Sequence, residues 1–323
     1  MPLTTDDGLL KLSRDVIETF DEANGGVHSG FRPAHAKGVL LSGTFTPSAD
    51  AATLTRAPHV QRASSTPVTV RFSDFAGIPT IADNDPQGAS PRGLAIRFHL
   101  AAHVHTDIVA HSVDMFPVRT AAEFLEFLRA VIATRPTDPH PNAIETFLGA
   151  HPAALAFVQA PKPIPSSFAR ESYFAVSAFA FTNAASQRRF GRYRILPAAG
   201  TDHLGDAAAA SQGPSFLMDD IRRRVASGPV ELRIVVQLAE DGDVTDDATV
   251  RWPETRPQVT FGRLAIDAVV PDDGAAQRQI IFDPIPRVDG IEASADPLFE
   301  PRANVYLMAG RRRRGGAQKS PNG

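Results

Sequence analysis

The stretch Asp296–Gly315, DPLFEPRANVYLMAGRRRRG, decides how the rest of the chain is to be read. Pro301 suits the first turn of a helix. A helix from there places Arg302 and Tyr306 at i and i+4, neighbours on one face. A guanidinium beside a phenol favours the phenolate and lowers its pKa from the ordinary ~10. A phenolate is a hard, anionic oxygen donor. The pattern alone is equally that of an amphipathic helix with a snorkelling arginine, so its meaning depends on what the preceding three hundred residues build.

Those residues alternate. In Thr66–Ser73, TPVTVRFS, the residues Val68, Val70 and Phe72 share one face of a predicted strand and Thr69, Arg71 and Ser73 the other. An arginine and a serine on one side need polar partners if that side is covered. The segment 91–100 alternates again through Leu94, Ile96, Phe98 and Leu100. Further strands are predicted at 39–45, 172–182, 189–196, 230–239, 259–269 and 279–282. His103 and His105 stand two apart near a strand end, but no third metal ligand lies nearby in sequence.

Helical periodicity marks 8–22, where Leu9, Leu12, Val16, Ile17 and Phe20 follow the acidic pair Asp6-Asp7. It marks 120–134 most strongly, where Thr120 and Glu123 form a capping-box pair. It continues over about 142–159 and over 215–224. About eight strands, some joined by hairpin-like loops and some by helices, predict an α+β fold: an antiparallel β-barrel with appended helices, large enough to enclose one ligand. The expected organisation is an N-terminal arm or helix over 1–30, one core over 31–316 and a disordered tail over 317–323. The proline-rich break at 161–165 reads as a loop inside that core.

Composition narrows the function. The 323 residues are 43% hydrophobic with a net charge of −3, which gives no reason to expect a nucleic acid or an anionic membrane as partner. There is no cysteine, which excludes disulfides, thiolate metal sites and cysteine nucleophiles. No apolar run approaches the ~18 residues that span a bilayer. The first twenty residues lack the pattern of a secretory leader, so the expected location is the cytoplasm, or the periplasm for a chain that has lost a leader.

Four separated pieces resemble the haem catalases, in that family's order: HAKG at 35–38, TPVTVRFS at 66–73, SPRGLAIRF at 90–98 and DPLFEPRANVY at 296–306. The stretches ESYFAVSAFAFTN at 171–183 and FPVRTAAEFLEFLRA at 116–130, with Arg251-Trp252-Pro253, resemble the small catalase-related peroxidases, a minimal catalase core. The resemblance implies haem b (iron protoporphyrin IX) as cofactor. It implies Tyr306 as the proximal ligand of the iron, held as phenolate by Arg302. His35 would be the distal acid and base, with its ring fixed by Ser73. Arg32, Arg71 and either Arg313 or Arg311 would meet the propionates.

Three departures from the family pattern follow. His111-Ser112 stands where large catalases carry an asparagine pair, so Ser112 takes the position of the residue that helps hold peroxide. A phenylalanine pair is reduced to Phe116-Pro117, and the sequence ends at Gly323, shortly after Tyr306, without a helical C-terminal domain. The implied function is a peroxidase acting on hydrogen peroxide and organic hydroperoxides, in an oxidative-stress role, with weak catalase activity and a small organic electron donor. The alternatives are a hydroperoxide-rearranging enzyme like allene oxide synthases and a non-enzymatic haem-binding or sensing barrel. Assembly is open between monomer, dimer and tetramer, a homo-oligomer being one expectation.

Overall fold

The computed structural model describes residues 2–61 and 64–316; the predicted tail at 317–323 lies outside the described residues. Ten strands form: β1 (Gly38–Pro47), β2 (Thr66–Ser73), β3 (Gly93–Ala101), β4 (Val104–His111), β5 (Tyr173–Phe174), β6 (Phe179–Thr182), β7 (Arg188–Pro197), β8 (Val230–Leu238), β9 (Gln258–Val269) and β10 (Ile291–Ala293). The sheet runs β1-β2-β3-β4-β5-β7-β8-β9 and closes through the pairing of β9 with β1. β6 and β10 extend from β7 outside the ring. All these pairings are antiparallel, giving the expected eight-stranded barrel with appended helices.

The barrel interior is solid. Phe45, Phe98, Phe181 and Phe261 are all fully buried. The Phe45 and Phe98 rings meet edge to face with centroids 5.0 Å apart. Each such side chain contributes ~1.5–3 kcal/mol by leaving water, and a lumen filled in this way has no room for a ligand. The expectation that the barrel encloses one is corrected here: the large cavity lies outside the wall, under the helices.

Three helices cover that wall. The helix Asp7–Ala23 is capped by Asp6, whose side chain accepts from the Leu9 N–H. Its Val16 and Phe20 pack with Leu125 and Leu128 of the helix Ala121–Ala133 and against Val305 of the helix Phe299–Gly316. Asp21 pairs with Arg312 of that last helix. The N-terminal helix therefore forms part of the cavity wall. The capping box predicted at Thr120 and Glu123 is present, and Asn142 and Glu145 form a second one.

Three local predictions change. The helical stretch 142–159 divides into Ala143–Ala150 and Pro152–Gln159, because Pro152 forces His151 to φ −126° and ψ 82°, outside the helical region. The strand predicted over 172–182 is interrupted between β5 and β6, where Val176 turns to pack with Ala248 and Leu298. The segment 279–282 is not a strand: it follows the helix Asp273–Gln279 as irregular chain. Arginines occupy its carbonyls, as described below.

Candidate active site

Strand register places the first half of the site. Ser73 of β2 pairs with Gly93 of β3, and Gly93 in turn pairs with His111 of β4. One step along, Arg71 pairs with Ala95 and Ala95 with Val109. Directly paired residues share a face of the sheet, so both rows lie on the outer face, opposite the Phe72–Leu94–Ala110 row that feeds the core. The polar side of TPVTVRFS thus faces neither water nor the lumen. It faces a cavity of about 770 Å³ whose lining includes His35, Arg71, Ser73, His111, Tyr306 and Arg313.

His35 enters from the loop before β1 in a left-handed backbone conformation, φ 56°. A non-glycine residue there costs ~1–3 kcal/mol and persists only where its surroundings enforce it. Here the His35 N–H donates to the Phe75 carbonyl at 2.6 Å and the Ala36 N–H to that of Ala76 at 3.0 Å. Arg71 Nη2 donates to the His35 carbonyl at 2.9 Å. The imidazole Nδ1 then lies 3.0 Å from Ser73 Oγ, which leaves Nε2 for the cavity. Burial, then the charge of Arg71, then His111 and Arg32, push its pKa down to about 3, with a hydrogen bond to the Asp74 backbone acting weakly the other way. His35 is therefore a neutral base at working pH.

Gly93 makes this arrangement fit. A Cβ there would sit 2.6 Å from Ser73 Oγ and 2.7 Å from His35 Nδ1. Nothing in the sequence alone singles out Gly93.

Three arginines converge from separate elements. Arg32 Nη2 donates to the Ile280 carbonyl at 3.2 Å, and Arg313 Nη2 to the same carbonyl at 2.6 Å. Arg71 Nε donates to Gln277 Oε1 at 2.8 Å. Among the described residues, none of the three forms an ion pair with a carboxylate. Burial and then the charges of Arg71 and Arg313 drive the Arg32 pKa well down. Burial and then Arg313 bring Arg71 to about 9. Burial and then Arg314 bring Arg313 to about 10. Arginines remain charged, so the shifts record three desolvated cations, Arg71 and Arg313 buried and Arg32 partly so, that want an anion.

Tyr306 lines the same cavity from the C-terminal helix. The guanidinium carbon of Arg302 lies 5.9 Å from its ring centroid, the i, i+4 contact expected of the pair. Phe116 lines the cavity with its ring centroid 6.5 Å from that of His111.

Two expected site residues fall elsewhere. Ser112 does not line the cavity; its Oγ accepts from the Arg92 N–H at 2.9 Å, and the alternation of β4 turns His111 to the cavity instead. Arg311 is exposed while Arg313, two residues on, is buried, so helical periodicity selects Arg313 for the cavity. The His103–His105 pair gathers no third ligand, and no cluster of metal-ligating side chains occurs among the described residues.

Behind the distal residues runs a buried charge network. Asp74 pairs with Arg92, and Lys37 Nζ reaches Asp83 Oδ1 at 2.6 Å. Burial outweighs the Arg92 charge and pushes the Asp74 carboxyl up to about 8.

The chain is similar to known proteins over nearly its whole length. The sequence model of the family described as Catalase matches residues 29–320. A catalase-related peroxidase of Mycolicibacterium paratuberculosis is 34% identical over 303 residues, taking in 92% of this chain and 94% of that protein. A catalase-related peroxidase of Synechococcus elongatus is 32% identical, over 91% of this chain and 87% of that one. Among solved structures, a fungal catalase superposes with a TM-score of 0.78 at 22% identity, covering 97% of this chain and 64% of its own. Catalase A from Saccharomyces cerevisiae gives 0.77 at 21% identity, covering 97% and 65%. The chain thus spans just under two thirds of the solved catalases, a likeness of fold.

Proposed function

The chain belongs to the catalase family, and from that premise we propose that it is a haem b peroxidase that reduces hydrogen peroxide and organic hydroperoxides, with weak catalase activity. One observation carries the reading: three arginines without carboxylate partners, Arg71 and Arg313 buried and Arg32 partly so, face the same cavity as a histidine–serine pair and a tyrosine. The residues fit the cofactor. The cavity's volume, about 770 Å³, is that of a cofactor pocket. Arg32, Arg71 and Arg313 would hold its two propionates, and Tyr306 Oη would hold the iron, with Arg302 beside it.

Bound here, the haem would supply redox chemistry at its iron: two electrons to cleave the peroxide O–O bond, restored afterwards by the organic donor. The protein's own part is proton handling and exclusion of water. His35 is neutral, so its Nε2 can accept the proton of the near peroxide oxygen and return it to the far one, which leaves as water or an alcohol. Ser73 Oγ at Nδ1 fixes the orientation of the ring during both transfers. Phe75 meets the His35 ring edge to face, with centroids 5.5 Å apart, and keeps that side dry.

The peroxidase emphasis rests on the distal wall. Where large catalases carry an asparagine pair, His111 faces the cavity here and Ser112 does not, and Pro117 replaces one aromatic. A second hydrogen peroxide is therefore held less tightly. Val131 and Val158, 47% and 46% exposed, line the rim between the helices Ala121–Ala133 and Pro152–Gln159. A small organic donor or an alkyl hydroperoxide can enter between them.

The test is the absorption spectrum of haem-loaded protein and of Tyr306→Phe, before and after peroxide. A Soret band that changes in the variant and shifts transiently with peroxide is expected. A band indifferent to Tyr306→Phe would remove the tyrosine ligand from the proposal. Oxygen release from hydrogen peroxide alone at ~10⁸ M⁻¹s⁻¹, the diffusional ceiling, would overturn the preference for peroxidase over catalase chemistry.

A further inference from the structure

His111 is the cavity residue that the mechanism above leaves without a task. It ends β4, opposite Gly93, which in turn sits opposite Ser73. The missing Cβ of Gly93 lets the His35 ring lie in this same row, so the two imidazoles line one wall. The Val113 N–H donates to His111 Nδ1 at 3.2 Å. An imidazole nitrogen that accepts a hydrogen bond carries no proton, so the ring's proton lies on Nε2. Among the described residues Nε2 has no hydrogen-bond partner, and the ring lines the cavity. Val113 therefore fixes a neutral donor beside the acid–base histidine.

We propose that His111 is a second distal hydrogen-bond donor, whose Nε2–H holds the peroxide oxygen that His35 is not protonating. This rests on the haem-peroxidase reading. The two histidines divide the work by their partners. His35 Nδ1 is engaged by the Ser73 hydroxyl, which can either donate or accept, so the ring can gain and lose a proton. His111 Nδ1 faces a backbone N–H, which can only donate, so protonating that nitrogen breaks its bond. His111 is confined to one protonation state and one tautomer. Burial, then the charge of Arg302, reinforce this by pushing its pKa down to about 3. It offers one fixed N–H where a carboxamide would offer two, on a wider and stiffer ring that leaves less room for a second peroxide.

The test separates donor from shape. His111→Leu removes the N–H, and His111→Asn and His111→Gln replace it. The first readout is the dissociation constant for fluoride of the haem-loaded ferric protein, followed by absorbance, since an anion at the distal position is stabilised by a donor hydrogen bond. His111→Leu is expected to weaken fluoride about tenfold to a hundredfold, with His111→Asn or His111→Gln recovering most of it. Unchanged fluoride affinity in His111→Leu overturns the proposal. The second readout needs no haem and no variant: ¹⁵N-histidine spectra of the cofactor-free protein should show one histidine as the neutral Nε2–H form throughout pH 5–8. A spectrum in which no histidine behaves so overturns it as well. Should added haem give no Soret band, the haem reading fails and this inference falls with it. A normal Soret band with flat fluoride affinities refutes the inference alone.

Discussion

Gly93 stands between Ser73 and His111 in the distal wall, and its missing side chain is what admits the His35 ring. A methyl group there meets the His35 and Ser73 side chains at 2.6–2.8 Å. Those groups are held by strand register and an enforced left-handed turn, so they cannot simply give way. Gly93→Ala is expected to cost ~1–3 kcal/mol of stability as overpacking and to slow peroxide consumption by about ten- to a hundredfold, since misplacing a catalytic group by ~1 Å costs on that order. Stopped-flow kinetics beside a urea titration separate the two effects; a normal rate in a destabilised protein would mean the pair moves freely. The buried imidazoles also set a pH dependence. His35 and His111 have folded pKa values of about 3, below the ordinary 6.5. Between those values the unfolded chain binds more protons, so stability is lost as pH falls from about 6.5 toward 3. Each ring keeps a face on the cavity, which softens the shift, and a loss on the order of 1 kcal/mol per histidine between pH 7 and 5 is expected for the cofactor-free protein. Urea midpoints at the two pH values check this, and the double variant His35→Asn, His111→Asn should flatten the profile.

At the scale of elements, what the sequence shows depends on whether local periodicity or distant partners decide the conformation. β2 is readable to the residue because its alternation is strict and its two faces have different work. The same holds for the helix Ala121–Ala133 and its capping box. The segment 279–282 misleads because Gln-Ile-Ile-Phe has strand character, yet its backbone carbonyls are claimed by arginines from three other elements. Ile280 accepts from Arg32 and Arg313, Ile281 from Arg97 and Gln279 from Arg314. This segment ties the C-terminal helix to the barrel wall, and the close approach occurs at Gly310, where a Cβ would lie 2.4 Å from Ile281 Cδ1. Gly310→Ala should push the helix and its segment apart and loosen both the arginine cluster and Tyr306. We expect faster loss of haem to an excess of a haem acceptor, by roughly the tenfold that corresponds to ~1.4 kcal/mol, with the barrel still folded by circular dichroism. Unaltered haem retention would show that 280–282 adjusts without disturbing the site.

Across the whole molecule, stability and chemistry occupy opposite faces of one wall. Alternation in the sequence shows that β2, β3 and β4 have two faces, but it cannot say which is the lumen, since both prove to be covered. That is why the barrel was readable and the place of its ligand was not. Tyr306, Arg302, His35, Ser73 and Arg71 stand inside the four short motifs, and Arg32 and Arg313 flank the first and the last of them. Gly93 lies in one of those motifs, but its role is the space beside it, which no motif displays, and His111 stood out only as a departure whose direction toward the cavity strand register reveals. The separation has a direct consequence. Phe98 lies fully buried on the inner face of β3, edge to face with Phe45. Arg97, next in sequence, points outward, where it pairs with Asp107 at 2.7 Å and donates to the Ile281 carbonyl. Phe98→Ala removes an aromatic from the lumen and is expected to cost ~3–5 kcal/mol, lowering the urea midpoint without altering the slope. The protein that remains folded should keep the Soret band and fluoride affinity of the parent, because the outer face is positioned by backbone register, which Phe98 does not set. If the band or the affinity shifts along with the stability, core and site are coupled through the wall, and the barrel is part of the catalytic machinery as well as its support.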